Sequence, residues 1–272
     1  MKIHQVRNAT LVIEAAGRRI LVDPMLGQAK SIPPFAFLRF RARWNPLVAL
    51  PPETDDLLES IEACLITHSQ AHHIRLLQHM DHLDPAGEKF LRDRSIPVAC
   101  PSKDSSYLQK YGLRVDWECD PWTETAFLGG TLTAVPAIHG YGWVHRLMAN
   151  GAGFLLRLPN EPSLYISGDT VLNDDVRRVL TEERPDIAVV AAGRAQLDIG
   201  KPLLMDLNDI LEFAQLSPGI VIANHLEALN HCPVSREELR KELEARDLSN
   251  KVLIPDDGEC VDFALPGEIV PN

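Results

Sequence analysis

The apolar runs of this chain are short, and several stop at a residue able to bind or move a proton. ACLIT (63–67) is followed by His68, LTAVPAI (132–138) by His139, LYIS (164–167) by Gly168-Asp169, and IVIAN (220–224) by His225. Runs of this length are far below the ~20 residues of a bilayer span. They suit strands buried on both faces. Between them lie segments with helix-start signals. Asp84 is placed to cap a helix with Pro85 at its first position, and Ser235 stands three residues before Glu238 in capping-box spacing.

The reading along the chain is a hairpin from 3–14 and 19–23, joined by AAGR, and then strands at 63–67 and 97–100. Further strands are predicted at 114–119, 125–128, 130–135, 152–158, 163–167, 186–191, 219–223 and 251–254. Helices are predicted over 84–94, 102–112, 171–181, 206–216 and 235–247. Strands followed by strand–helix alternation occur twice, with no Gly/Ser-rich linker between. The expectation is one α/β domain over 1–272, two packed sheets with helices outside. With 45% hydrophobic and 24% charged residues, there is material for such a core, and disordered or collagen-like classes are excluded.

Charge narrows the partners. Lys and Arg total 27 against 38 Asp and Glu, a net charge of -11, which argues against non-specific nucleic-acid binding. The five cysteines include no CxxC pair, so neither a disulfide framework nor a thiolate zinc site is expected. The first two dozen residues carry regularly spaced charges rather than a signal-peptide core, and stable membrane insertion is not expected. The expected location is the cytoplasm.

Residues 24–55 break the pattern. Six prolines, four aromatic residues and Arg39, Arg41 and Arg43 fall in a stretch without strand or helix periodicity, read as a long irregular surface excursion. Two readings stand. It is a lid whose guanidinium groups recruit an anionic substrate, or it is a contact in a homo-oligomer, where Arg and aromatics are enriched.

The chemistry concentrates in CLITHSQAHHIRLLQHMDHLDPAGEKFL (64–91). Imidazole and carboxylate side chains suit Zn²⁺, Mn²⁺ or Fe²⁺, and His79-Met80-Asp81-His82 can aim alternate side chains at neighbouring positions. His139, Asp169 and His225 add further such groups at strand ends, where α/β folds gather ligands.

This series of histidines and aspartates resembles that of the metallo-β-lactamase superfamily of hydrolases. ILVDP (20–24), SGDT (167–170), AAGRAQ (191–196), NHLEALNHC (224–232) and IPDDGE (254–259) resemble more narrowly the branch containing L-ascorbate-6-phosphate lactonase. A more distant likeness is to the N-acyl-phosphatidylethanolamine phospholipase D group. The chain departs from the family in one place, since ten residues instead of one separate His68 from His79. Removing QAHHIRLLQ (70–78) leaves THSHMDHLD, a full match, so a nine-residue insertion is read in the metal loop. The competing register uses His68, Gln70, His72 and His73 but leaves the next helix without its cap and proline.

The resemblance implies a four-layer αββα sandwich and two divalent metal ions (Zn, Mn or Fe). One ion falls to His68, His79 and His139, the other to Asp81, His82 and His225, with Asp169 between them. It also implies hydrolysis of a small, anionic ester, lactone or phosphoester by a metal-generated hydroxide. A sugar-phosphate lactone leads. The alternatives are a phosphodiesterase or phospholipase D-like activity, or a non-catalytic metal-binding protein in which the insertion has altered the site. Asp81 and His231 are the candidate catalytic groups, Asp81 orienting water and His231 donating a proton. Substrate contacts fall to Arg39, Arg41, Arg43, His145 and His231, and Asp23 is the candidate for holding a ligand imidazole in one tautomer.

Overall fold

Three antiparallel strands open the chain instead of the two expected: β1 (Lys2–Arg7), β2 (Thr10–Ala15) and β3 (Arg18–Val22). Asn8 causes the difference. It takes a φ of 57°, a left-handed conformation that asparagine tolerates, and turns the chain inside the stretch read as one strand. The structure is a computed structural model and describes residues 1–70, 72–75, 78–264 and 268–269.

From β3 the sheet continues in parallel through β4 (Ile61–Leu65), β5 (Pro97–Pro101) and β6 (Arg114–Cys119). The second sheet holds β7 (Glu124–Phe127), β8 (Gly130–Pro136), β9 (Ala152–Arg157), β10 (Leu164–Ile166), β11 (Ile187–Ala191), β12 (Ile220–Asn224) and β13 (Val252–Leu253), in the order 13-12-11-10-9-8-7. The chain then returns to the first sheet, where β14 (Cys260–Ala264) pairs antiparallel with β1 and β15 (Glu268–Ile269) adds the edge. The sequence reading missed this return, because CVDFA alternates too briefly to stand out.

The two-residue period of the strands builds the layers. In β11, Ile187 and Val189 face an inter-sheet core with Ile13, Leu65 and Phe154, while Ala188 and Val190 face the helices. On that outer side lie α4 (Asp174–Arg178, continuing as a wide turn to Glu183), α5 (Leu207–Leu216) and α6 (Arg236–Glu244). Val12, Leu21 and Val98 turn to the opposite outer layer, which holds α2 (Pro85–Asp93) and α3 (Ser102–Lys110). The result is the expected four-layer αββα sandwich. Before α2 comes one short helix that the sequence did not reveal, α1 (Thr54–Leu58). No helix among the described residues is long and apolar enough to cross a membrane.

The 24–55 stretch is irregular as expected, but it is tied down. Buried Arg7 donates to the carbonyls of Met25 (2.7 Å), Gly27 (2.9 Å) and Val48 (3.1 Å). Buried Asn230 accepts from the Phe35 N–H (2.9 Å) and donates to the Ala36 carbonyl (2.7 Å).

Candidate metal centre

Asp23 follows β3, His68 lies just beyond β4, His139 beyond β8, Asp169 beyond β10, and His225 follows β12. Their side chains converge on one rim. The segment between β4 and α2 must deliver three more groups to the same place, despite its extra nine residues. It does so by closing the insertion on itself. Gln70 and Gln78 pair as an antiparallel bridge, and the His79 N–H donates to the Ser69 carbonyl at 2.9 Å. The chain therefore leaves and returns at one point. Arg75 pairs with the buried Glu88 carboxylate of α2, and Gln78 donates to Glu88 (2.8 Å) and to the Leu83 carbonyl (2.6 Å). Residues 71, 76 and 77 of the insertion lie outside the described residues.

With the ends closed, His68 Nε2 sits 3.1 Å from His79 Nδ1. The helix-start signal that favoured this register is present, since the Asp84 carboxylate caps α2 by accepting from the Gly87 N–H at 2.7 Å. His72 and His73 are exposed and belong to neither of the clusters described next.

Two groups of potential ligand atoms result, each with all its atoms within 4.8 Å of one another: His68, His79 and His139, and Asp81, His82, Asp169 and His225. Asp169 faces both. Its carboxylate oxygens lie 3.2 Å from His82 Nε2, 3.6 Å from His139 Nε2 and 3.7 Å from His225 Nε2. Asp81 Oδ1 is 3.9 Å from His79 Nδ1, and its Oδ2 is 3.9 Å from His225 Nε2.

Three atoms of the second group test whether a cation fits. His82 Nε2, Asp169 Oδ1 and His225 Nε2 are buried without a hydrogen-bond partner among the described residues. Buried polar atoms are almost always satisfied, and a divalent ion would satisfy all three. Two carboxylates with imidazoles are a donor set suited to Zn²⁺, Mn²⁺ or Fe²⁺.

The surrounding atoms orient these rings. Asp23 accepts from His82 Nδ1 (2.9 Å), from the Thr67 hydroxyl (2.7 Å) and from the Thr67 N–H (2.8 Å). In the neutral ring this puts the proton on Nδ1 and would leave the Nε2 lone pair for a cation. His139 Nδ1 lies 3.1 Å from the Leu203 carbonyl, and the His139 backbone N–H donates to Asn150 Oδ1 at 2.8 Å. Asn8 donates to the Asp81 carbonyl (2.9 Å) and accepts from the His225 N–H (3.0 Å). Thr67, Asn150 and Asn8 were missed in the sequence, because nothing local distinguishes them from ordinary loop residues.

Burial and the facing charges set the protonation. Burial pushes His79 down to about 4 and also depresses His68 and His139, so these rings are neutral at pH 7. For His82 burial acts the same way, but the Asp169 and Asp23 carboxylates outweigh it and raise its pKa well above the usual value. Burial opposes charge on Asp169 too, yet His82 and His225 hold its carboxyl well below the normal range.

A cavity of about 330 Å³ opens beside the first group, with His79, Asp81, His139 and His231 on its wall. The rest of the lining is mainly apolar: Pro33, Phe35, Met80, Leu147, Met148, Leu197 and Leu203. Arg39, Arg41 and Arg43 are exposed, and neither they nor His145 are among its lining residues. The backbone at the tip of the excursion explains this. Asp198 accepts from the N–H groups of Phe37, Leu38 and Arg39 at 2.8–3.0 Å and turns the tip outward. His145 lies in a short helical turn, Val144–Arg146, where its carbonyl accepts from Asn150 (2.8 Å). His231 does reach the cavity, but burial lowers its pKa to about 4, so it is a neutral imidazole at pH 7 rather than an imidazolium acid.

Residues 18–226 match the family described as "Beta-lactamase superfamily domain". A UPF0173 protein of Bacillus subtilis (strain 168) is 32% identical over 266 residues, 97% of this chain and 100% of that one. The chain belongs to the UPF0173 family of metal-dependent hydrolases, within the metallo-β-lactamase superfamily. A UPF0173 metal-dependent hydrolase of Koribacter versatilis (strain Ellin345) is 26% identical over 254 residues, covering 91% of this chain and 94% of that one. Among solved structures, an isothiocyanate hydrolase from Delia radicum gut bacteria superposes with a TM-score of 0.84 at 30% identity. The match covers 97% of this UPF0173 chain and 99% of the other.

Proposed function

We propose that this UPF0173 chain hydrolyses a small, uncharged electrophile carrying an apolar substituent, with isothiocyanates as the first class to test. The observation that carries this reading is the cavity beside His79 and His139. It is lined mainly by Leu, Met, Phe and Pro side chains, and none of its lining residues among those described is Lys or Arg. A phosphorylated lactone or a phosphodiester would bring charge into that apolar wall without a cation side chain to meet it. An uncharged lactone or ester would not. The similarity to a protein named as an isothiocyanate hydrolase points the same way.

In this reading His68, His79 and His139 hold one divalent ion, Asp81, His82 and His225 a second, and Asp169 stands between them. Bound there, the ions would supply a water of lowered pKa and a positive field for developing negative charge. The chain's own groups do the rest. Asp23 and Thr67 keep His82 in one tautomer. Asp81, on the cavity wall and facing both groups, accepts a hydrogen bond from the attacking water and orients it. His231, neutral and buried, offers a ring N–H to the heteroatom that gains charge. For an isothiocyanate the balance is R–N=C=S + H₂O → R–NH₂ + COS, with the water oxygen bonding to the central carbon, the C–N bond breaking and the nitrogen taking both protons.

The excursion at 24–55, which brings Pro33 and Phe35 to the cavity, is assigned as its cover within a single 1–272 unit. The exposed Phe37, Leu38 and Trp44 at its tip favour the oligomer-contact reading of the arginines over substrate recruitment. Five free cysteines, four of them buried, fit a reducing cytoplasmic location.

The test is turnover of benzyl isothiocyanate, an uncharged aryl ester, a lactone and a bis-aryl phosphodiester, before and after chelation and after return of Zn²⁺ or Mn²⁺. The expected result is metal-dependent release of benzylamine, with the phosphodiester slowest. Activity confined to the phosphodiester, or undiminished by chelation with loss of metal verified, would overturn the reading.

A further inference from the structure

A histidine that binds a cation through one ring nitrogen has its tautomer set by the partner of the other. In this centre three rings turn Nδ1 to an oxygen: His68 to Thr67 Oγ1 (3.0 Å), His82 to Asp23 Oδ2 (2.9 Å) and His139 to the Leu203 carbonyl (3.1 Å). His225 is built differently. Its Nδ1 lies 3.5 Å from the sulfur of Cys232, and the same sulfur is 3.9 Å from Nδ1 of His231. A thiol has one proton to give and lone pairs to accept. It can therefore take the His225 N–H and donate its own S–H to His231.

The packing holds the sulfur between the two rings. Cys232 is buried, and a β-carbon placed on Gly193 would lie only 3.0 Å from its Cβ and 3.1 Å from its Sγ. His225 itself sits at a φ of 59°, a left-handed conformation that turns its ring back toward the centre from the end of β12. Its Nε2 is buried without a hydrogen-bond partner among the described residues, 3.7 Å from Asp169 and 3.9 Å from Asp81.

We infer that Cys232 is a positioning residue that fixes the ring states of two histidines at once, His225 in the cation-binding group and His231 on the cavity wall. His225 then carries its proton on Nδ1 and presents the Nε2 lone pair to the centre. His231 accepts at Nδ1 and keeps its proton on Nε2, available to substrate. The inference rests on the metal reading above, and it links the two halves of the site through one side chain.

The experiment is ¹⁵N NMR of the histidine rings in metal-free protein, for wild type, Cys232→Ala and Cys232→Ser, with zinc affinity of each measured by chelator competition. Wild type should show the Nδ1–H form of His225 and the Nε2–H form of His231. Cys232→Ala should mix both tautomers at both rings and weaken zinc binding about tenfold, the lower end for loss of a ligand's outer partner. Cys232→Ser, which keeps a donor and an acceptor, should restore the tautomers and recover most of the affinity. A dominant Nε2–H form of His225 in wild type overturns the inference, as does a Cys232→Ala protein with unchanged tautomers and zinc affinity within twofold. If the alanine variant does not fold, wild type and the serine variant decide it. Failure of wild type to bind zinc or manganese would sink the metal reading instead, while the ring states of the metal-free protein still judge Cys232.

Discussion

The His68–His79–His139 group and the Asp81–His82–Asp169–His225 group are neighbours on one rim, but only the second contains carboxylates. The first is three imidazoles that burial keeps neutral, two of them on the cavity wall. A divalent ion held there would meet one carboxylate, the shared Asp169, and keep more of its charge for the substrate. In the second group two carboxylates would offset the charge of an ion, and three buried atoms have no hydrogen-bond partner among the described residues. The difference separates two tasks. In the proposed reading the carboxylate-bearing group would retain its ion tightly, and the imidazole group would polarise what enters the cavity, at the cost of weaker binding.

The largest expected effect comes from the side chain that faces both. Asp169→Ala should lower turnover by on the order of 10³ or more and strip metal from both groups, measured by steady-state kinetics and elemental analysis after dialysis. Retention of two equivalents of metal by this variant would break the comparison at its root, since the groups would then not share Asp169.

The next change is aimed at one group only. A β-carbon on Gly151 would lie 2.3 Å from the Thr67 carbonyl and 2.5 Å from His68 Cβ. Gly151→Ala should therefore displace His68 and cost about 1–3 kcal/mol of stability, as overpacking in a close contact does. The ion of the imidazole group should leave at lower chelator concentration, while the other equivalent stays. Graded chelation with elemental analysis and thermal unfolding checks both. Simultaneous loss of the two equivalents would mean that the groups bind as one unit.

Much of this centre was legible because its chemistry sits where apolar strands stop. His139, Asp169 and His225 follow their strands in sequence, and Asp84-Pro85 fixed the register across the insertion by marking where α2 begins. What kept His68 beside His79 was not legible. It depends on the Gln70–Gln78 pairing and on Glu88, a buried carboxylate on the next helix that meets Arg75 and Gln78 only once the chain is folded. The arginines of the excursion misled for the same reason. Composition gave their charge, but their direction is set by Asp198 and Asn230, more than 150 residues away in the chain. Asn230 and Cys232 lay inside a recognisable motif, NHLEALNHC, yet a motif carries no statement of which backbone or ring each side chain will meet. The Asn8 turn was hidden within an apolar alternation that reads as a single strand.

The smallest expected effect lies farthest from the two ligand groups and tests whether the imidazole group's cavity depends on its cover. Asp198 is half-buried and ties the tip of the 24–55 excursion through three backbone N–H groups, while Asn230 holds the same excursion from inside. Asp198→Ala should leave both equivalents of metal and kcat unchanged and raise KM by about threefold, the pattern of lost ground-state and transition-state binding in equal measure. Acid should imitate the substitution. The amide hydrogen bonds from Arg39, Leu38 and Phe37 hold the Asp198 carboxyl below its ordinary pKa, so the tie is complete above the usual carboxylate range and is lost as pH falls through that lowered value. A fall in kcat with metal content intact would show instead that the excursion reaches the reacting atoms, and the cavity side of the centre would then be less independent of its surroundings than the carboxylate side.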